Sequence, residues 1–119
     1  MQNAKADLAD RTKLYARRII RLVSALPKTT VAQVLGKQVL RSGTSVGANY
    51  REASRARSRA EFVAKMGDCL KELSESEYWL ELLSEETVLP SEKLAPLLSE
   101  TRELTAIFVT SIKTARSRV

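Results

Sequence analysis

Four arginines fall within nine residues, Arg51, Arg55, Arg57 and Arg59, and they are the most chemically suggestive feature of the chain. A guanidinium is a planar, permanently charged fork of N–H donors that pairs two-to-two with phosphate oxygens. In a continuous helix Arg51, Arg55 and Arg59 would form one stripe at four-residue steps, with Arg57 off it. Just upstream, Ser45, Asn49 and Glu52 stand at i, i+4 and i+7, one helical face; Glu72 and Glu75 lie three apart on a later helix. Carboxylates placed in this way can bridge a metal inside a helical bundle, but such sites also use Glu-x-x-His pairs. The chain has no histidine. A carboxylate buried without a partner is costly, so the favoured reading of these five residues is a partnered polar cluster that fixes helix pairing, with Arg41 or another arginine as its cation.

The missing histidine also removes His-based triads and imidazole proton shuttles. Ser42, Thr44 and Ser45 have no His, Lys or Asp placed to activate them as nucleophiles. The single cysteine, Cys69, excludes an internal disulfide framework, and its place on an apolar helix stripe predicts a buried, inert thiol. No catalytic residue, metal or cofactor is therefore expected. No run approaches the roughly 20 apolar residues of a membrane span. The opening MQNAKADLADRTK has no apolar h-region, so the expected location is the cytoplasm, away from membranes.

Charge is unevenly spread. Residues 1–59 hold 13 Lys/Arg against 3 Asp/Glu, whereas 60–119 hold 7 against 11. A separation of this kind means either a basic face for a polyanion or two faces that attract one another. Arg17, Arg18 and Arg21 on the first helix, and Arg116 and Arg118 in the tail, extend the basic set.

The elements that must position these groups are helices. The chain reads as one domain over residues 1–119, with helices at about 6–26, 30–57, 59–85 and 91–115. Leu8, Tyr15, Ile19, Leu22, Val23 and Leu26 give the first apolar stripe, and Pro27 ends it. Thr29 or Thr30 caps the second helix, whose stripe begins at Val31, Val34, Leu35, Gln38 and Val39. Gly36, Gly43 and Gly47 each cost a helix about 1 kcal/mol relative to alanine. Small residues also let a neighbouring backbone approach, so one long helix to about Arg57 is expected rather than a break at Ser42-Gly43-Thr44. Ser58-Arg59-Ala60-Glu61 fits a capping box, with the serine covering an amide and the glutamate reaching back. Phe62, Met66, Cys69, Leu70, Leu73, Leu80 and Leu83 line the third helix. Tyr78 and Trp79 beside them suit the core or a subunit contact. Ser91 is the expected cap of the fourth, and Pro96 is tolerable near its first turn. Four helices with short loops make an all-α, antiparallel up-down-up-down four-helix bundle the economical architecture.

Two middle blocks carry a family resemblance. Ser45-Val46-Gly47-Ala48-Asn49, then Glu52-Ala53 and Glu61-Phe62, and the run from Met66 to Glu75 resemble the four-helix-bundle proteins encoded within intervening sequences of bacterial 23S ribosomal RNA genes. That family is similar in turn to the accessory variability proteins of diversity-generating retroelements. The resemblance implies a continuous second helix and assembly as a cyclic homo-oligomer, typically a pentamer; it supplies no activity. The retroelement relatives imply RNA or DNA, and a reverse transcriptase, as partners.

The leading expectation is thus a non-enzymatic oligomeric bundle that binds nucleic acid by phosphate contacts of Arg51, Arg55, Arg57, Arg59, Arg17, Arg18, Arg21, Arg116 and Arg118. The alternative is a protein-interaction scaffold. In it the basic half docks on an acidic partner, or on the acidic helix (Glu72, Glu75, Glu77, Glu81, Glu85, Glu86) of a neighbouring subunit.

Overall fold

The computed structural model describes the backbone of residues 4–118 and the side chains of residues 8–118. Four helices, α1 (Ala4–Ser24), α2 (Thr30–Ala53), α3 (Arg59–Glu85) and α4 (Ser91–Ser117), run up and down beside one another; no strand occurs among the described residues. The all-α bundle expected from the sequence is what forms. It measures 50 × 26 × 19 Å. α2 packs extensively on both α1 and α3, and α3 on α4, whereas α1 and α4 meet at only a few points.

The buried positions alternate in steps of three and four. Met66, Cys69, Leu73, Ser76, Leu80 and Leu83 do so on α3, and Leu94, Leu97, Thr101, Leu104, Phe108 and Ile112 on α4. This spacing averages about 3.5 residues per turn, the seam that lets antiparallel helices interlock side chains along their length. On α2 the buried face is Ala32, Gly36, Val39, Ser42, Gly43, Val46, Tyr50 and Ala53. The expectation that Val31 and Val34 start the stripe is corrected: they are 57% and 55% exposed. Small residues take the inward positions because α1 comes too close for larger ones. A Cβ added at Gly43 would lie 2.7 Å from Ile19 Cγ1, and one at Gly36 2.8 Å from Leu26 Cδ1.

At mid-height each helix contributes a hydroxyl. Tyr15 of α1 and Thr101 of α4 share a hydrogen bond of 2.7 Å, and Ser42 of α2 and Ser76 of α3 share one of 2.8 Å. The Ser76 side chain also neighbours the Tyr15 phenol, which brings the two pairs together. All four side chains are buried, and burial pushes the Tyr15 phenol above its usual range. Thr101 additionally donates to the Leu97 carbonyl at 2.7 Å. Above this level Tyr50 meets Phe108 edge-on at 5.9 Å across the bundle.

Helix ends follow local chemistry with four corrections. α1 stops at Ser24, and Ala25 and Leu26 tighten into a turn because the residue before Pro27 is steered out of helical geometry. α2 ends at Ala53, not near Arg57. Ala53 is its last buried residue, and Ser54 turns its hydroxyl back onto the Arg51 carbonyl at 2.8 Å. Ser58 accepts from the Glu61 amide at 3.0 Å as expected, but the exposed Glu61 carboxylate stays in water and does not return the bond. Pro90, not Ser91, holds the cap position of α4, with φ near −58° already set for a helix start. Thr29 caps α2, accepting from the Ala32 amide at 3.1 Å. α3 closes with a Schellman pattern, Val88 N–H to Leu83 C=O and Thr87 N–H to Ser84 C=O. Its left-handed residue is Thr87, at φ 52°.

These contacts lead to two expected outcomes in chemical denaturation. Gly43→Ala should lose about 1–3 kcal/mol to overpacking against Ile19, while Gly67→Ala, with nothing within 4 Å of its new Cβ, should gain about 0.5–1 kcal/mol from helix propensity. Equal effects of the two would show that close approach does not govern α2. Tyr15→Phe and Thr101→Val should each cost about 1–2 kcal/mol, and the double variant should cost clearly less than their sum.

Candidate nucleic-acid interface

The up-down course brings the last turn of α2, the start of α3 and the end of α4 to one end of the bundle. Arg51 sits on the final turn of α2, Arg55 and Arg57 in the turn that follows, Arg59 at the first residue of α3, and Arg116 and Arg118 at the close of α4. All six are exposed. The turn exists because Ser54 back-bonds to α2 and Ser58 caps α3 within five residues; between them Arg55 and Arg57 are exposed and Ala56 is half-buried. None of the six makes an ion pair among the described residues. Lys113, one turn before Arg116, adds an exposed cation beyond those expected from the sequence.

Arg17, Arg18 and Arg21 do not join this end. Arg21 is 17 residues into α1, about 25 Å along its axis from the first residue. Arg17 and Arg21 are exposed, and Arg18 is half-buried near the Tyr15 phenol. They share their helix with two exposed apolar side chains, Leu14 at 49% and Ile20 at 46%. The basic half of the chain is only partly spent on the acidic half: Arg11 pairs with Glu100 at 2.6 Å and Arg41 with Glu75 at 2.7 Å.

Among the described residues no group of His, Cys, Asp or Glu can hold a metal. The buried Cys69 thiol donates to the Val46 carbonyl at 3.6 Å, and burial pushes it up to about 12, so it stays protonated. No helix of the described residues is long and apolar enough to cross a membrane. The indole N–H of Trp79 is buried without a hydrogen-bond partner among the described residues. The mid-height hydroxyl layer escapes the sequence reading, although its signal is present: Tyr15, Ser42, Ser76 and Thr101 are polar residues at apolar register positions.

The five-residue polar cluster divides in the structure. Arg41 lies between Glu72, at 3.5 Å, and Glu75, at 2.7 Å, joining α2 to α3 at the surface. Glu52 instead pairs with Lys65 at 3.2 Å. Ser45 donates to the Arg41 carbonyl of its own helix at 2.6 Å, and Asn49 is half-buried apart from both groups. The two glutamates respond oppositely. Hydrogen bonding from Arg41 holds the Glu75 carboxyl below the usual range, whereas desolvation, reinforced by its neighbour Glu75, raises that of Glu72. The Glu75 contribution to stability is therefore present above its unfolded pKa and lost as pH falls through the lower folded value; that of Glu72 has the opposite sign. In a carboxyl NMR titration Glu75 should titrate below Glu72, and Arg41→Ala should move Glu75 upward. An unmoved Glu75 would show that Arg41 is not its partner in solution.

Comparison with known proteins agrees with this architecture. The chain is similar to a crystal structure of a protein of unknown function from the S23 ribosomal protein family of Bacteroides thetaiotaomicron VPI-5482, with 38% identity and a TM-score of 0.86. The likeness covers 92% of this chain and 97% of that one. Among curated proteins nothing matches. The family model described as 23S rRNA-intervening sequence protein matches residues 5–110. With that match spanning nearly all four helices, the chain belongs to the 23S rRNA-intervening sequence protein family.

Proposed function

We propose that this protein is a non-enzymatic helical bundle that binds nucleic acid through backbone phosphates at its arginine-bearing end. The observation that carries this reading is the state of Arg51, Arg55, Arg57, Arg59, Arg116 and Arg118: gathered at one end, exposed, and without a carboxylate partner among the described residues. Elsewhere on the molecule Arg11, Arg41, Lys65 and Arg102 each have one. Unpaired guanidiniums keep their fork of donors available, and phosphates that meet them release condensed counterions. No aromatic ring interleaves them, which favours backbone contact over base recognition. The family's description with 23S rRNA makes RNA the first polymer to test.

A second reading applies to the middle of α1. Leu14 and Ile20, half exposed beside Arg17, Arg18 and Arg21, suit a contact with another copy of the chain, so those arginines serve assembly rather than phosphate binding. A ring of copies, a pentamer as the family resemblance implies, would repeat the arginine end and add weak contacts by avidity. Sedimentation velocity on the purified protein separates this assembly from a monomer.

Fluorescence anisotropy with labelled RNA should show binding that weakens steeply with salt. Replacing Arg51, Arg55 and Arg57 by alanine should lower affinity about tenfold or more at low salt and flatten the salt slope by roughly one unit for each phosphate no longer neutralised. Absence of binding at low salt, or a triple variant that binds like the parent, would refute the proposal.

A further inference from the structure

A furrow of about 620 Å³ runs between α1 and α2, leading to the arginine end. It exists because both helices carry small residues there: Ala9 and Ala16 on one wall, Gly47 and Ala48 on the other. Gly47 packs against the Thr12 backbone so closely that an added Cβ would lie 3.3 Å from the Thr12 carbonyl oxygen. The floor is thus peptide backbone and methyl groups, and the rim is cationic, with Lys13 facing Arg51 and Arg55. Glu52 is the one carboxylate on this lining, and Lys65 engages it at 3.2 Å. Lys13, Arg51 and Arg55 have no ion pair among the described residues.

We infer that this furrow seats a single unpaired strand of nucleic acid, its phosphates on Lys13, Arg51 and Arg55 and its sugars on the small-residue floor; this rests on the phosphate-binding reading above. Arg51, on the last turn of α2, and Arg55, in the turn that follows it, present two guanidiniums in succession along the same rim. The volume lies within the range of about 300–1,000 Å³ typical of sites that enclose small ligands. A cleft between two helices whose axes are roughly 8–10 Å apart can admit one strand but not the width of a duplex, which can touch only the rim. The Tyr50 ring is turned inward onto Phe108, so no stacking platform is offered and the seat is tolerant of base sequence.

Filling the furrow without changing charge tests this directly. Ala48→Leu and Ala9→Leu replace exposed helical alanines by a good helix former, and circular dichroism melts confirm that the variants fold. Binding of a fluorescein-labelled oligouridylate should fall about tenfold in either variant, while binding of a labelled RNA duplex stays within about twofold. Parent protein should also bind the unpaired strand more tightly than the duplex. If the filled variants bind the unpaired strand as the parent does, or lose strand and duplex equally, the furrow is not its seat. Should the bundle-end arginine variants still weaken both ligands in that case, the phosphate-binding reading survives without the furrow. A parent protein that binds neither ligand overturns both.

Discussion

Four hydroxyls, one from each helix, meet in the middle of a mostly apolar core, and the alignment of the bundle depends on them. Apolar side chains tolerate small slips of one helix past another, because dispersion contacts are many and individually weak. Buried hydroxyls do not, since a slip leaves a donor or acceptor unpaired in a low-dielectric interior. Tyr15 with Thr101 fixes α1 against α4, Ser42 with Ser76 fixes α2 against α3, and Ser76 neighbours Tyr15 where the pairs meet. The levels at which the helices end are set from here. The last turn of α2 comes beside the first turn of α3, and α4 finishes at the same height.

The other constraint is the closeness of α1 and α2. Gly36 and Gly43 let Leu26 and Ile19 occupy space that any side chain would fill, and Gly47 receives the Thr12 backbone. Helix propensity is given up at three places in one helix, and the return is a tight interface in the core and a shallow trough on the outer side of the same helix pair. Both follow from the small side chains that replace bulk along α2 between Gly36 and Ala48. With α1 and α4 meeting at only a few points, most of the packing on α1 comes from α2.

What can be read from the chain alone divides along the same physical line. Pro27, Thr29, Ser58 and Pro90 act through local backbone chemistry, and the helix limits they set are close to those observed. The end of α2 depends on where burial ceases, which is a property of neighbouring helices, so no local signal at Arg55 or Arg57 marks it. Val31 and Val34 resemble core because they are apolar; the three-dimensional reason that Ala32 and Gly36 displace them is the proximity of α1. Grouping Glu52 with Glu72 and Glu75 follows from helical faces but ignores height. Glu52 sits about three turns from Arg41, level with Lys65, and an ion pair selects partners at its own height. The arginines are visible as a run, but their separation from Arg17, Arg18 and Arg21 emerges only once α1 and α2 lie antiparallel.

The two ends of this 50 Å bundle are not electrically alike. One carries Arg55, Arg57, Arg59, Lys113, Arg116 and Arg118; the other mixes Glu85, Glu86 and Glu92 with Lys28 and Lys93. Charge held apart over such a length gives the molecule a permanent dipole moment along its long axis. Near a charged surface, within a Debye length of about 8–10 Å, a torque acts on the whole body before any side chain makes contact. Rotational diffusion is then biased, and the fraction of collisions that arrive arginine-end first rises without any change in the contacts finally made.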